Sequence, residues 1–403
     1  MTRIHYVATS FHTGGASASA SRIVRSAGLF VDEHSSVDSS DSSVRLRSIP
    51  AWLAVRIQKS SNSVHRSLNV ISSKVGKDAH LGSFDAVHLH WVGDELISIR
   101  QIGSLARTLP VVWTLHDTWA FTGADHHPKD ETDSRYRVGY TRESRLPGDG
   151  RIDVDAWVFR RKLRAWTFPM WLVAPSTYVQ GMANESFLAS SWPKTVIPNP
   201  VDVEVYRPLE VGARSAARAM LGLASDGPLI VFGSGSRAAH TKGMDLLPGV
   251  LERVRAKVPT ATFATFGPAD NDLPLWVHQL GYFDNEDRLR ELYGAADVVL
   301  LTSRFETFSQ VAAEAQACGT PVAAFATSGL LDVVNDRASG FLAKPYDPES
   351  LAVAAIRAIE AGPEMRDAAR ERAARLWAMD VVGRQYVAWY EQAISEFHSR
   401  SYP

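Results

Sequence analysis

Two carboxylates eight positions apart could bind ligand hydroxyls in the second half of the chain. Glu306 and Glu314 follow an apolar run, Val298–Thr302, that predicts a buried strand. A capping-box pattern predicts that a helix begins near Phe308 and ends at Gly319. Glu306 would then lie just outside the helix N-terminus, with Glu314 about two turns in. From the residues alone, the pair could equally serve only to offset the helix dipole.

Two cations occur on one predicted loop. Arg237 and Lys242 follow the apolar run Leu229–Phe232. Positive charges at a strand end suit a diphosphate whose charge grows as a bond breaks. The loop also matches the dinucleotide fingerprint G-x-G-x-x-A, but no acidic residue closes the next predicted strand, Ala261–Phe266. An oxidoreductase is therefore the weaker interpretation, and two solvated cations remain an alternative.

A pair of glycines follows the first predicted strand. Gly14 and Gly15 come after Ile4–Ala8 and before a predicted helix, Ser19–Phe30. Adjacent glycines let the backbone approach a ligand, and the N-terminus of the next helix attracts phosphate. The pair therefore indicates a phosphate-binding turn, with an ordinary turn as the alternative.

Histidines are concentrated in the first half of the chain. Six of the thirteen lie in one stretch: His80, His88, His90, His116, His126 and His127. Residues His88-x-His90 with His116 and Asp117 could form the metal site of a hydrolase. That interpretation leaves the glutamates and the cationic loop without a role. We therefore expect no metal, and we expect His88 and His90 to be buried, hydrogen-bonded residues.

Strands and helices must alternate to position these residues. Short apolar runs alternate with helical periods in both halves, and the pattern restarts after the proline-punctuated segment 199–208. This alternation predicts an α/β protein of two domains, each with a parallel sheet covered on both faces. The candidate residues follow predicted strands, and the carboxyl ends of such strands are where ligands bind.

Composition limits the class of protein. The 403 residues carry 43 Lys and Arg against 44 Asp and Glu, a net charge of −1, which argues against a general nucleic-acid binder. The single cysteine, Cys318, excludes a disulfide scaffold and a cysteine-based zinc site. No run of 18 apolar residues occurs. We therefore expect a soluble, cytoplasmic protein.

Two segments have unusual compositions. Residues 32–43 are rich in Ser and Asp and predict a loop. Residues 45–77 contain seven basic and no acidic side chains, with apolar residues at roughly helical spacing. This pattern predicts a basic amphipathic surface that contacts anionic lipid or a phosphorylated acceptor. An ordinary surface helix is the alternative.

The motifs together resemble the retaining GT-B glycosyltransferases of family 4. In the first half they resemble the branch that acts in exopolysaccharide and lipopolysaccharide assembly. The resemblance covers almost the whole chain. The motifs are His88-Leu-His-Trp-Val, Trp113-Thr-Leu-His116-Asp, Asp155-x-Trp-x-x-Arg-Arg-Lys, Val196-Ile-Pro-Asn199-Pro-Val-Asp202, Arg237-x4-Lys242-Gly, Glu306-x7-Glu314 and Ser339-Gly340-Phe-Leu.

The resemblance implies a fold and a reaction. Two Rossmann-like domains, residues 1–200 and 201–380, would face a central cleft, and a final helix within 381–403 would return to the first domain. The protein would move a sugar from a nucleotide-diphosphate sugar to a hydroxyl with retention of configuration. It would need no metal or other cofactor. The acceptor would be a glycan, a lipid-linked molecule or a small molecule, and nucleic acid would not be a partner. A non-catalytic sugar- or nucleotide-binding relative is the alternative.

The resemblance also implies residue roles. On the donor side, Arg237 and Lys242 would hold the diphosphate, Glu314 the ribose and Glu306 the transferred sugar. His116 would lie near the reaction centre. Further donor contacts would come from Gly14, Gly15, Phe305, Thr307 and Phe308, and the acceptor side would include Asp117, Trp91, Trp119 and His126. The sequence departs from the family at Asp125-His126-His127, where relatives often carry cysteines. Residues 129–151 are expected to shape acceptor choice.

Overall fold

The chain folds into two units. The computed structural model describes residues 2–11, 15–31, 33–37, 64–74, 83–128, 134–145, 152–210, 212–233, 240–268, 272–283 and 285–399. The first unit comprises Met1–Ile197 with Val382–Pro403, and the second comprises Pro198–Val381. The boundaries predicted from the sequence lie at residues 200 and 380.

A six-stranded parallel sheet forms the first unit, in the order β2-β1-β3-β4-β5-β6. Every residue of β3, β4 and β5 is buried, as expected of strands covered on both faces. The strand order reverses between β1 and β3, so their carboxyl ends flank the point where such sheets bind ligands. The strands are β1 (Arg3–Val7), β2 (Glu33–Val37), β3 (Ala86–Leu89), β4 (Val111–Thr114), β5 (Trp171–Ala174) and β6 (Lys194–Val196).

Helices connect and cover this sheet. They are Gly15–Ala27, Ile99–Thr108, Arg135–Val138, Val154–Ala165, Thr177–Glu185 and the last helix, Met379–Ser399. The last helix packs within the first unit from Val382 onwards. Its Tyr386 and Tyr390 are buried beneath the sheet residues that they hydrogen-bond, Thr114 (3.0 Å) and His88 (2.8 Å).

The second unit contains another six-stranded parallel sheet, in the order β12-β11-β10-β7-β8-β9. This order is that of dinucleotide-binding folds, and it reverses between β7 and β10. The strands are β7 (Leu229–Gly233), β8 (Thr262–Phe266), β9 (Val277–Gln279), β10 (Val298–Leu301), β11 (Val322–Phe325) and β12 (Gly340–Ala343). The helices are Ala213–Met220, Leu247–Lys257, Glu286–Ala295, Gln310–Ala317, Leu330–Val333, Pro348–Glu360 and Pro363–Trp377. Apolar clusters cover both faces of the sheet.

Four strands were missing from the sequence prediction, and all four are sheet edges. Among the described residues, β2, β6, β9 and β12 each pair with one other strand only. Edge strands need not be continuously apolar, so they lack the apolar pattern by which inner strands are recognised in a sequence. The prediction of a loop over residues 32–43 was wrong at β2, which pairs in parallel with β1.

The prediction of a helix within residues 45–77 was wrong for the part of this segment that the structure describes. Only 64–74 lies within the described residues, and none of it is helical. Arg66 is buried and bonded to Asp155 (Nε–Oδ1 3.0 Å), so it is not a surface cation. Leu68 is also buried. Among the helices that the structure describes, none combines the length and hydropathy that crossing a bilayer requires.

Candidate active site

The loops after β7 and β10 are fastened together at the point where the strand order reverses. Gly243 has φ +60°, and a Cβ there would fall 2.0 Å from the carbonyl oxygen of Thr302. The Thr302 hydroxyl donates a hydrogen bond to the carbonyl of Lys242 (2.9 Å), and the Arg304 amide donates to Thr241 (2.7 Å). The close approach therefore fixes the backbone that carries Lys242.

Lys242 and Glu306 form an ion pair across these loops. The Lys242 ammonium donates to Glu306 Oε1 at 2.7 Å, and the Ser303 hydroxyl donates to the same oxygen at 2.8 Å. The side chains are 30% and 13% exposed. Among the described residues, none hydrogen-bonds Glu306 Oε2. One carboxylate oxygen and two ammonium protons thus remain for a ligand.

A second ion pair stiffens the same loops. Arg304 donates to both carboxylate oxygens of Asp245, at 2.6 and 2.7 Å. This hydrogen-bonded pairing lowers the pKa of Asp245 and raises the pKa of Arg304. Asp245 closely follows Lys242 in the sequence, and Arg304 closely precedes Glu306. The bidentate contact therefore adds a restraint on the geometry of the Lys242–Glu306 pair.

The helix after β10 begins later than predicted. It covers Gln310–Ala317, and its N-cap is Ser309, whose hydroxyl accepts from the Ala312 amide. The predicted start near Phe308 was wrong because the Phe308 ring is buried against Trp377 (centroids 5.8 Å apart) and Ser309 adopts φ +94°. A residue with positive φ cannot continue a right-handed helix.

The backbone amides before this helix differ in whether a protein acceptor occupies them. The Phe305 amide donates to the Thr241 carbonyl (3.1 Å), and the Glu306 amide donates to the Ser328 hydroxyl (2.9 Å). Within the described part of the chain, the amides of Phe308 and Ser309 have no acceptor. Because the helix dipole makes this end positive, these amides suit a phosphate. Thr307, which directly precedes Phe308, is half-buried.

Glu314 lies about one turn into the helix rather than two. Its side chain is buried, and the Tyr293 hydroxyl donates to Oε2 at 3.4 Å. Burial, together with the charge of Glu314, raises the pKa of Tyr293 and of the Cys318 thiol. The helix thus places a buried carboxylate behind its N-terminus.

His116 follows β4 in the first unit. Its Nε2 lies 3.0 Å from Nδ1 of His90. Burial lowers the pKa of His116 to about 4, partly offset by the charge of Asp117. Burial also lowers the pKa of His90 well below its ordinary value. Both rings are therefore neutral near pH 7, and one donates a hydrogen bond to the other.

His88 and His90 are buried strand-end histidines, as predicted. His88 hydrogen-bonds Tyr390 through Nδ1 and Thr114 through Nε2, both at 2.8 Å. Both ring nitrogens of His88 are thus occupied by hydroxyl groups. Over the residues that the structure describes, no group of three His, Cys, Asp or Glu side chains is arranged to hold a metal.

Three of the predicted acceptor-side residues lie together. His126 Nδ1 is 2.5 Å from Asp117 Oδ2 and 3.1 Å from the Trp91 indole nitrogen. Nε2 of His126 is 2.7 Å from the Ser67 hydroxyl. Asp117 can only accept a hydrogen bond and the Trp91 indole can only donate one, so these two side chains compete for Nδ1, while the Ser67 hydroxyl bonds Nε2. Asp117 and Trp91 are partly exposed, so this cluster reaches the surface.

Trp119 does not line a surface pocket. Its side chain is 1% exposed, and its indole donates to the Ser67 carbonyl at 3.0 Å. The ammonium of Lys162 lies 3.7 Å from the ring centroid. The acceptor-side interpretation of Trp119 was therefore wrong, because its ring packs in the core.

Lys162 is a residue whose importance the sequence analysis missed. It is completely buried and donates to the carbonyls of Trp119, Thr122 and Gly123. Burial lowers its pKa well below the ordinary value. Lys162 thus stabilises the turn that follows His116 and Asp117. The motif Asp155-x-Trp-x-x-Arg-Arg-Lys begins and ends with an ionisable residue, and both of these residues are buried.

Some predicted residues cannot be placed. Gly14 and Arg237 lie outside the described residues, as does part of 129–151. Gly15 begins the first helix and is exposed, and a Cβ there would meet nothing within 4 Å. The space around Gly15 is therefore compatible with a ligand but does not require glycine.

The sequence is similar to that of known proteins. The sequence profile of the family "Glycosyl transferases group 1" matches residues 216–376. A D-inositol 3-phosphate glycosyltransferase of Geodermatophilus obscurus is 31% identical over 343 residues, covering 79% of this chain and 69% of that protein. One of Xylanimonas cellulosilytica is 38% identical over 214 residues, covering 49% of this chain and only 51% of that protein.

Solved structures share the fold over nearly the whole chain. Sucrose-phosphate synthase of Thermosynechococcus elongatus has a TM-score of 0.66 at 17% identity, covering 98% of this chain and 100% of that one. HepE of Anabaena, solved with UDP and glucose, has a TM-score of 0.66 at 18% identity, covering 97% and 100%. The two parallel-sheet α/β units are those of the GT-B fold. The chain therefore belongs to the group 1 family of glycosyltransferases.

Proposed function

We propose that this protein is a retaining glycosyltransferase that takes a sugar from a nucleotide-diphosphate sugar and attaches it to a hydroxyl group. The observation that carries the proposal is the Lys242–Glu306 pair, 2.7 Å apart at the strand-order reversal of the second unit. A cation, an available carboxylate oxygen and free helix amides occur there together. These are the groups that a sugar diphosphate needs.

Lys242 acts on the leaving group in this proposal. Negative charge grows on the diphosphate as the bond to the sugar breaks, so a nearby ammonium stabilises the transition state more than the bound donor. The amides of Phe308 and Ser309 supply further donors. Arg237 is proposed as a second cation from its position in the sequence motif.

The two glutamates are proposed to bind different parts of the donor. Glu306 Oε2 is available to accept a hydrogen bond from a hydroxyl of the transferred sugar. Glu314 is proposed to bind the ribose hydroxyls, since a buried carboxylate discriminates strongly for groups that donate to it. No step in this scheme requires a metal or a further cofactor.

The first unit is proposed to supply the acceptor side. His116 is neutral near pH 7, so it can exchange hydrogen bonds with sugar hydroxyls without adding charge. Asp117, His126 and Trp91 form a polar cluster with one aromatic face. This composition suits a hydroxyl-rich acceptor such as a glycan or another small polyol.

The acceptor belongs to glycan or glycoconjugate biosynthesis in this proposal. The motifs of the first half resemble the polysaccharide-assembly branch, whereas the relatives matched by sequence are named for D-inositol 3-phosphate. Growing polysaccharides and inositol phosphates both carry hydroxyl groups that can accept a sugar. A phosphorylated cyclitol therefore belongs in the acceptor panel beside lipid-linked and soluble sugars.

The experiment is a screen of nucleotide-sugars followed by product analysis. A tight donor raises the melting temperature by mass action. The stabilising donor is then incubated with acceptors, with and without EDTA, and the anomeric configuration of the product is read by NMR. Transfer with retention, unaffected by EDTA, is expected. An inverted product would contradict the mechanism, and donor binding without any transfer would favour a non-catalytic binding protein.

We also propose a cytoplasmic, peripheral association with anionic membrane through residues 45–77. The support is the run of basic residues without acids. Because Arg66 is buried, the test neutralises Arg45, Arg47 and Arg56 to Gln. Loss of co-sedimentation with anionic vesicles is expected, and retained sedimentation would reject this contact.

A further inference from the structure

A groove lined by arginines lies on the first unit, between the helices Ile99–Thr108 and Val154–Ala165. Its volume is about 510 Å³. The lining residues are Arg100, Gly103, Ser104, Arg107, Arg161, Arg164 and Ala165. Four are arginines and none is acidic, and all belong to these two helices rather than to the strand-end loops of the candidate active site.

Within the part of the chain that the structure describes, no carboxylate lies at salt-bridge distance from any of the four arginines. Among the described residues, none of them hydrogen-bonds or forms a salt bridge with a carboxylate, whereas the nearby Arg135 is bonded to Asp153 at 2.6 Å. Guanidinium groups remain charged at all ordinary pH values. The groove therefore concentrates positive charge on a chain whose net charge is −1, and such a concavity attracts anions.

Helix dipoles account for only part of this arrangement. Arg107 and Arg164 are in the last turns of their helices, where cations are favourable. Arg100 is in the first turn of its helix, where a cation is unfavourable. The pKa of Arg161 is lowered by burial and by repulsion from Arg100, against attraction by Glu95. Arg161 is thus close enough to interact electrostatically with both Glu95 and Arg100, although neither Arg161 nor Arg100 forms a salt bridge among the described residues.

The groove is also rigidly built. A Cβ at Gly103 would fall 2.2 Å from the carbonyl oxygen of Ala165, so the helices touch at its floor. The guanidinium of Arg161 stacks over Trp157 at 4.8 Å, and that of Arg107 lies over Phe168 at 5.9 Å. Stacking restricts these side chains before a ligand arrives, which reduces the entropy lost on binding.

We propose that this groove binds phosphate groups, as a second anion site separate from the loops that carry Lys242 and Glu306. Planar guanidinium groups match phosphate oxygens with paired hydrogen bonds. The phosphate comes either from a soluble phosphorylated molecule or from an anionic lipid headgroup. Trp157 and Leu163, 42% and 38% exposed on the same helix, supply apolar contact if the source is a lipid surface.

The test measures protection of individual arginines. The full-length protein is treated with phenylglyoxal, with or without inorganic pyrophosphate or phosphatidylglycerol vesicles, and modification is quantified at each arginine by mass spectrometry. At least a fivefold reduction at Arg100, Arg161 and Arg164 is expected with one of the two probes. Arg142 and Arg160 serve as internal controls, because they line a neighbouring groove that contains Asp153.

Matched variants give a second readout. The pair Arg100→Gln and Arg164→Gln is compared with the pair Arg142→Gln and Arg160→Gln, so that both proteins lose two positive charges. The first pair should weaken binding of the protecting probe at least tenfold, and the second less than threefold. Pyrophosphate binding is measured in a Lys242→Ala background to remove the other anion site.

Each outcome bears on the proposal. Protection by pyrophosphate identifies a soluble phosphorylated ligand, and protection by the vesicles alone identifies a lipid headgroup. Protection by neither probe, or equal weakening by the two variant pairs, would overturn the phosphate site. Glycosyl transfer should persist in the first pair with a soluble acceptor, so failure here is distinguishable from failure of the proposed function.

Discussion

At the scale of single residues, the Lys242–Glu306 pair has two roles in the proposed mechanism. Without a ligand, Glu306 Oε1 holds the ammonium of Lys242 in place with help from Ser303. When a diphosphate is present, the ammonium can serve both partners, since it has three donors. The pair thus keeps a half-exposed cation positioned before the donor arrives.

The two glutamates should have separable effects. Glu306→Ala removes the proposed contact to the transferred sugar, so transfer should fall by about 10- to 100-fold, which corresponds to roughly 1.5–3 kcal/mol. Its affinity for the free nucleotide diphosphate should stay within threefold of the wild type. Glu314→Ala removes the proposed ribose contact, so its nucleotide affinity should fall by about tenfold or more. Calorimetry and initial rates measure both, and the reverse pattern would contradict the assignment.

The sequence indicated that Lys242 and Glu306 lie near each other because both follow predicted strands, but it did not indicate which side chains they contact. Lys242 and Glu306 follow apolar strands, and a parallel sheet brings the carboxyl ends of neighbouring strands together. The contributions of Ser303 and Ser328 were not predictable. A hydroxyl can hydrogen-bond almost any neighbour, so a serine in the sequence does not indicate its partner.

At the scale of elements, the loops after β7 and β10 depend on Gly243. The left-handed φ and the 2.0 Å approach to Thr302 both require glycine there. Gly243→Ala should therefore displace the backbone of Lys242 and lower kcat/KM by about 10- to 100-fold, since a small misplacement is costly. The control is Gly222→Ala, which has φ +69° but no neighbour within 4 Å. Equal kcat/KM values in the two variants would contradict the close-packing argument.

The last helix depends on another close contact. A Cβ at Gly383 would fall 2.2 Å from the carbonyl oxygen of Ser26. Gly383→Ala should therefore lower the free energy of unfolding by about 1–3 kcal/mol despite its better helix propensity. Gly181→Ala, in the helix Thr177–Glu185 with no neighbour within 4 Å, should instead raise it by roughly 0.5–1 kcal/mol. Urea unfolding measures both changes, and two changes of the same sign would refute the packing argument.

Element prediction succeeded for inner strands and failed for edges. A strand buried on both faces must be apolar throughout, as Val298–Leu301 is, so composition reveals it. The edge strand Val277–Gln279 buries one residue of three and reads as a polar turn. The helix start at Gln310 was missed because Ser309 caps it from a positive φ that the sequence does not encode.

At the scale of the whole molecule, buried neutral histidines should make stability depend on pH. Burial lowers the pKa of His88, His90 and His116 below the ordinary value in the folded state. The unfolded chain therefore binds more protons than the native state at pH below about 6.5. Stability is full above that pH and is lost as the pH falls through it towards about 4, the native pKa of His116.

The expected loss can be measured by urea unfolding between pH 7 and pH 5. Each of the three histidines contributes up to about 1.4 kcal/mol per pH unit. The partly exposed His65, whose pKa is raised by Asp94, works in the opposite direction. Asp94 and Asp117 have lowered pKa values and so act only at pH below about 4. His116→Asn should reduce by one the number of protons taken up on unfolding, so its free energy of unfolding should depend less on pH. A free energy of unfolding that stays constant or rises towards pH 5 would rule out the explanation.

The overall charge concealed local features of the molecule. A balance of −1 excludes a protein that is basic over its whole surface. The net charge did not indicate the groove with four arginines between two helices. Arg100 and Arg161 are 61 positions apart in the sequence and come together only after folding. The fold class, by contrast, was readable, because strand–helix alternation is a local pattern repeated along the chain.

The central claim is that Lys242 stabilises a departing nucleotide diphosphate. Its most direct test is the rate of nucleotide diphosphate release from the best donor, in the presence of acceptor, for Lys242→Ala. We expect a loss of about 1.5–3 kcal/mol, or roughly 10- to 150-fold in kcat/KM, which is larger than the loss in donor affinity. Lys257→Ala, which removes an exposed lysine at a helix end, should match the wild type. Unchanged turnover in Lys242→Ala would contradict the account.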